Sequence, residues 1–315
     1  MGIAAYQSGL DAVNDYGERL ASTVLRGIPD GCYRFRDVMD DDGLGQQDIA
    51  IEVAVTVSGG SVTVDFAGTA GQVSGNINCP LSVAAAGVFY VFRCLMPEQT
   101  PACAGSFRNI HLVAPPACLV NAHRPAAVAA GNVETSSRIV DVVMGALAQA
   151  LPEHIPAASQ GTMNNLAMGA RNATHSWDYY ETMGGGTGGG QRQPGLDATQ
   201  SHMTNTLNTP IEVLEMAFPL RVARYQLRSG SSGAGKHRGG EGLVRSFEFL
   251  EPTTVTLLTE RRCHPPWGLH TGQPGQCGEN RRNEDILPGK VSTRFEAGES
   301  LTVATPGGGG WGAGQ

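Results

Sequence analysis

The sequence predicts an α+β protein, and three observations carry that reading. Segments with helical periodicity lie almost entirely before residue 152. After residue 157, short β-type runs cut by Gly or Pro dominate. Glycine supplies 43 of 315 residues, about twice its usual share, which suits turns and close-packed loops better than long helices. The chain divides into an α+β segment, 1–156, with an N-terminal helix, a hairpin and two buried helices, and a β-rich segment with Gly-rich loops, 157–315. The two are expected to form one co-folded unit.

Residues 3–27 show an apolar stripe of Ile3, Leu10, Val13, Leu20 and Val24, ended by Gly27 and the Pro29-Asp30-Gly31 turn. No start signal precedes this helix, so a truncated start is expected. DVMDDDG, 37–43, reads as an acidic turn whose spacing fails the calcium-loop pattern. Ile51, Val53, Val55 and Val57 alternate, Gly59-Gly60 turns, and Val62, Val64 and Phe66 alternate again, which predicts a hairpin. LSVAAAGVFYVFRCL, 81–95, is a buried helix closed by Pro97, and 110–129 is strand and loop. Thr135 or Ser136 caps a helix that runs to Leu151 before Pro152. Beyond it the spacing predicts a short helix near 210–216 and strands at 221–228, 242–250, 253–259 and 291–304.

Composition excludes several function classes. The net charge of -7 opposes a broad nucleic-acid surface. No apolar run is long enough to span a membrane, and the first residues lack a secretory pattern. Seven cysteines without a CxxC pair read as reduced thiols, which predicts a cytoplasmic protein.

Five motifs could carry chemistry. GGGTGGG, 184–190, contains GxGxxG, but QRQPG follows and cannot open a helix. A packed glycine loop or a nest of backbone N–H groups fits better than a dinucleotide site. GSSGAGKH, 230–237, has His237 where a phosphate-binding loop needs Ser or Thr, so it reads as a turn. SHMTNT, 201–206, crowds hydrogen-bonding side chains, either as a loop-holding network or as a substrate wall. His202 and the nearby Glu181 would suffice for acid–base work if they meet in space. In TERRCHPPWGLH, 259–270, Arg261 and Arg262 could clamp a carboxylate or phosphate, while His264 and His270 have a weak metal spacing. GNVETSSR, 131–138, sits at a helix N-terminus, where an anion is welcome or where Glu134 serves the helix dipole.

Together with ASQGTMNN (158–165), YYETMGGGTGGG (179–190), SHMTNTLNTPIEVLE (201–215), GSSGAGKHRGGEGLVR (230–245), LLTERRCHPPWGLHTGQPG (257–275), LPGK (287–290) and TPGGGGWG (305–312), these phrases make the whole chain resemble the hydantoinase B/oxoprolinase family. The resemblance implies ATP-dependent opening of an unstrained cyclic amide such as 5-oxoproline, a hydantoin or a related lactam. It implies a hydantoinase A partner that binds ATP with Mg and activates the amide oxygen, and it leaves an acetone-carboxylase-like role as an alternative. Hydantoinase B proteins carry a longer N-terminal portion with Gly-Gly-Thr-His and paired His, where some relatives hold a divalent metal. This chain has no such segment, so it resembles the C-terminal half or somewhat more. The missing N-terminal half is then an expected partner, and no metal ligand carries over. On that footing Glu181, His202 and Asn205 are expected to orient water or substrate. Backbone N–H groups of Gly184, Gly185 and Gly186 would face a developing oxyanion. Arg261 would pair with a substrate carboxylate or phosphate. The alternative is that all of these pack loops in a non-catalytic interface fragment.

Overall fold

The apolar stripe read from residue 3 forms α1, Ile3–Leu25, in the computed structural model of the chain, which describes residues 2–171 and 175–314. Only Gly17, Ala21 and Leu25 of this helix are buried. Ile3, Tyr6, Leu10 and Val13 face solvent, so most of the apolar stripe is not core.

Strands β1 (Gly31–Asp41), β2 (Gln47–Ser58) and β3 (Ser61–Asp65) run antiparallel, and β4 (Ile110–Val113) joins β3 in parallel. The Gly59-Gly60 turn has φ of +58° and +85°, left-handed values that suit glycine. The acidic run departs from expectation: Asp37, Asp40 and Asp41 lie on β1, and the turn follows them. Pairing of Asp37 with Ile51 and Met39 with Ile49 extends the strand through the charges, because the buried face of β2 sets the register. Helices α2 (Leu81–Leu95) and α3 (Ser136–Leu147) pack on each other, and α3 also packs on β1 and β2. A wider turn at Gly131–Thr135 leads into α3, whose residues are all buried. The regular helix stops at Leu147, not Leu151, and tighter turns carry the chain to Pro152.

The second half contains β5 (Asn165–Arg171), β6 (Ser176–Glu181), α4 (Ile211–Ala217), β7 (Leu220–Arg228), β8 (Gly242–Phe249), β9 (Thr253–Leu258), β10 (Glu279–Arg282), β11 (Asp285–Leu287), β12 (Lys290–Phe295) and β13 (Ser300–Ala304). One sheet runs β11-β10-β13-β8-β7 and another β12-β9-β5-β6. Both contribute to a single core, which includes Leu166, Phe247, Phe249, Val255, Phe295 and Leu301. The expected run 291–304 is therefore two strands in different sheets, with Gly298 at φ +86° in the turn between them.

The glycine loops interleave. Gly186 N donates to Pro306 O, Gly189 N to Gly309 O and Gly308 N to Gly240 O. A Cβ on Gly308 would sit 2.0 Å from Thr187 O, so backbone packs on backbone there without room for a side chain.

Candidate functional site

The structure distributes the expected site residues over two polar centres and the surface. Glu181 ends β6 in the first centre, buried. Its Oε2 accepts from Tyr179 Oη at 2.8 Å and Asn208 Nδ2 at 3.0 Å, and lies 3.1 Å from Arg245 Nη1. Burial pushes its carboxyl upward and Arg245 pulls it back, with a net rise. His202 lies elsewhere, 3.4 Å from the Tyr90 hydroxyl through Nδ1. Burial lowers its pKa, so the ring is neutral at neutral pH. Among the described residues no hydrogen bond joins His202 to Glu181. Asn205 is exposed. Gly185 N and Gly186 N donate to Thr199 O and Pro306 O, so both amides already have acceptors. Gly184 lies beside them, where a Cβ would be 2.8 Å from Ala198 O.

Arg261 belongs to the second centre, a buried ionic seam between the two halves of the chain. Its Nη2 lies 2.8 Å from Asp37 Oδ2 and 2.5 Å from Asp141 Oδ2. Arg138, also buried, reaches Asp37 at 3.3 Å and Glu260 at 3.2 Å. Lys290 Nζ is 2.5 Å from Glu260 Oε1 and 3.6 Å from Asp41 Oδ1. Asp40 accepts from the backbone N–H groups of Arg262, Cys263 and His264. Arg262 binds Asn164 and Asn280 through its side chain. Against the burial that would raise it, Arg261 and Arg138 hold Asp37 down to about 2.

Glu134 is the exception in this seam. Its Oε1 accepts from Met163 N at 3.2 Å and Asn165 Nδ2 at 2.6 Å, while Oε2 is buried with no hydrogen-bond partner among the described residues. Burial, and then the charge of Glu260, push its carboxyl up to about 8, although Thr162 and Lys290 pull the other way. Asn165 Oδ1 in turn accepts from the Tyr180 hydroxyl at 2.6 Å. Tyr180 is exposed and lines a trough of about 700 Å³ on the open face of β12-β9-β5-β6, with Ala167, Gly169, Arg171 and Thr256. That trough touches none of Glu181, His202, Asn205, Gly184, Gly185, Gly186 and Arg261.

The seam assembles motifs that the sequence shows separately: the acidic run, GNVETSSR, TERRC and the Lys of LPGK. Local spacing gives no sign that they converge, because strand register and the β9–β12 pairing bring them together. Asp141 and Glu260 are members of the seam that spacing does not single out. An Asp within the apolar run of α3 is the available signal, since a charge there must be paired. The residues present do not fit a metal: among the described residues no group of three His, Cys, Asp or Glu is placed to hold one. They do not cradle a nucleotide at GSSGAGKH either, where Gly233 N, Lys236 N and His237 N already donate to Gly308, Gly312 and Trp311 carbonyls. No helix among the described residues is long and apolar enough to cross a membrane.

Comparison with known proteins places this architecture. The family model described as hydantoinase B/oxoprolinase matches residues 1–314. The 5-oxoprolinase 1 of Arabidopsis thaliana is 40% identical over 282 residues, covering 88% of this chain and 21% of that protein. The 5-oxoprolinase of Dictyostelium discoideum is 37% identical over 281 residues, 88% of this chain and 21% of that one. The ATP-dependent caprolactamase from Pseudomonas jessenii superposes with a TM-score of 0.88 at 24% identity, covering 99% of this chain and 57% of that one. A nucleotide-free acetone carboxylase superposes with a TM-score of 0.81 at 18% identity, covering 99% and 49%. The chain thus spans little more than half, or less, of each of these proteins.

Proposed function

The chain belongs to the hydantoinase B/oxoprolinase family, and from that premise we propose that it takes part in ATP-dependent hydrolysis of a cyclic amide such as 5-oxoproline, a hydantoin or a related lactam. The observation that carries this reading is the 40% identity to a 5-oxoprolinase across 88% of the chain. The proposed working assembly contains a hydantoinase A-type protein, which would bind ATP with Mg, and the part of the hydantoinase B architecture that this chain does not span. Its proposed location is the cytoplasm.

A five-membered lactam resists hydrolysis because its amide is resonance-stabilised, so phosphorylation of the amide oxygen before attack by water is the chemistry that ATP would supply. Within this chain, the Glu181 centre fixes the loop 199–209 against β6 through Asn208, Thr182 and Thr206. The interleaved glycines hold the neighbouring loops at backbone distance. These are the elements proposed to form this chain's share of the pocket wall. A second reading, in which the chain is a non-catalytic interface, is favoured by one observation: Gly185 N, Gly186 N and Arg261 already have partners within the chain.

Reconstitution separates the two. The chain is combined with a hydantoinase A-type protein and the remaining hydantoinase B portion, and lactam-dependent ATP hydrolysis is measured. The first reading expects activity that disappears when this chain is omitted and falls at least tenfold with Glu181→Ala. Activity that survives omission contradicts it. Full activity of the Glu181→Ala assembly, with loss only on omission, favours the interface.

A further inference from the structure

The geometry points to a proton latch in the seam: Glu134 closes the junction between the two halves as a neutral carboxylic acid, and loss of its proton loosens that junction. Charge balance and hydrogen-bond partners both lead there. The seam brings the carboxyl groups of Asp37, Asp40, Asp41, Glu134, Asp141 and Glu260 against Arg138, Arg261, Arg262 and Lys290, so acids outnumber cations in a largely buried site. Burying an unpaired charge is far more costly than binding a proton.

Each of the other acids has an answer to its charge, and part-exposed Asp41 lies 3.6 Å from Lys290 Nζ. Asp37 meets two arginines, and Asp141 meets Arg261. Glu260 meets Arg138 and Lys290. Asp40 collects three backbone N–H groups. Glu134 alone has no ion pair among the described residues: two neutral N–H groups donate to one of its oxygens, and the Thr162 hydroxyl is its other neutral partner. Burial raises Glu260 as well, but its two cations keep it the ionised member of the pair, and its charge then disfavours a second anion at Glu134. The remaining groups facing Glu134 are Thr162 and Asn165 from the 159–165 segment and Tyr180 from β6; the charges of Lys290 and Arg262 also act on it, but neither forms an ion pair with it, since both are held by other partners.

Glu134 lies in the first half of the chain, while its donors Met163 and Asn165 lie in the second. An anion there would also meet Glu260, so the repulsion falls across the seam itself. The value of about 8 puts the change just above neutrality. Above it the junction gains one more negative charge where acids already outnumber cations.

Thermal melts of the purified chain, from about pH 6 to about pH 9, test this against Glu134→Gln, which keeps the shape and is neutral at every pH. The wild-type melting temperature is expected to fall by several degrees from about pH 6 and to level off above about pH 8, and the Glu134→Gln profile to stay flat and lie above it on the alkaline side. Protection of the Met163 amide against hydrogen exchange, corrected for the intrinsic rise of exchange with pH, should fall over the same range in the wild type only. Parallel profiles for the two proteins would overturn the latch. So would a Glu134→Gln chain that does not fold, because a neutral isostere is what the proposal requires the site to accept.

Discussion

Two glutamates in this molecule are buried to nearly the same degree and held in opposite ways. Glu181, at the end of β6, has Arg245 3.1 Å away, with Tyr179 and Asn208 on the same oxygen. Glu134, in the turn before α3, has backbone and amide donors and no ion pair among the described residues, the charges of Lys290 and Arg262 acting on it without contact. Both carboxyls are pushed up by burial. The difference shows that burial alone does not decide a charge state. The decisive question is whether the fold delivers a cation to the carboxylate.

The largest effect comes from converting one case into the other. Arg245→Met leaves Glu181 with neutral donors only, at a cost of roughly 3–5 kcal/mol for an uncompensated buried charge. Chemical denaturation at neutral pH should show that loss, and most of it should return in the double variant Arg245→Met/Glu181→Gln. Additive losses would mean that Arg245 acts by packing on Tyr225 and Phe247, which it also stacks against. Next is Glu181→Gln alone, which leaves a buried guanidinium without its anion. About 2–3 kcal/mol is expected there, whereas the same substitution at Glu134 should be neutral or stabilising.

The pH dependence sharpens the contrast further. The folded Glu134 holds a proton between its ordinary value of 4.5 and about 8, where the unfolded chain has released it. Its contribution to stability therefore falls as pH rises, by roughly 1.4 kcal/mol per pH unit, and levels off above that range. Asp37 behaves in the opposite sense. Held down to about 2 by Arg261 and Arg138 despite burial, it adds stability that is present above its ordinary value and lost as pH falls toward 2. Denaturation midpoints across both limbs should separate the two. The smallest effect is Tyr180→Phe, which removes one hydrogen bond at an exposed phenol and should cost about 0.5–1.5 kcal/mol. A loss several times larger would make Tyr180 part of the seam's support.

Much of the fold is legible in the sequence because its signals are local. Alternation around Gly59-Gly60 specifies a hairpin, and LSVAAAGVFYVFRCL specifies α2 to its ends. Strands β5 and β10 escape such a reading because Asn, Gly and Arg dilute their alternation, and pairing with neighbouring strands supplies what the pattern lacks. The family is legible from long shared phrases. The seam is not, because its carboxyls and cations come from segments more than 100 residues apart, such as Arg138 and Glu260. At the level of sequence Glu134 reads as a helix-terminus acid, and only the folded arrangement shows it facing Asn165 and Glu260.

One buried carboxyl, on this view, stays protonated at neutral pH because the fold denies it a direct ion pair. Carbon-detected NMR titration of glutamate side-chain carboxyls reads this directly. One resonance should retain the chemical shift of the acid form at pH 7, titrate near pH 8, and be missing from Glu134→Gln. A spectrum in which every glutamate is ionised by pH 6, or in which the late-titrating signal persists in Glu134→Gln, would contradict it.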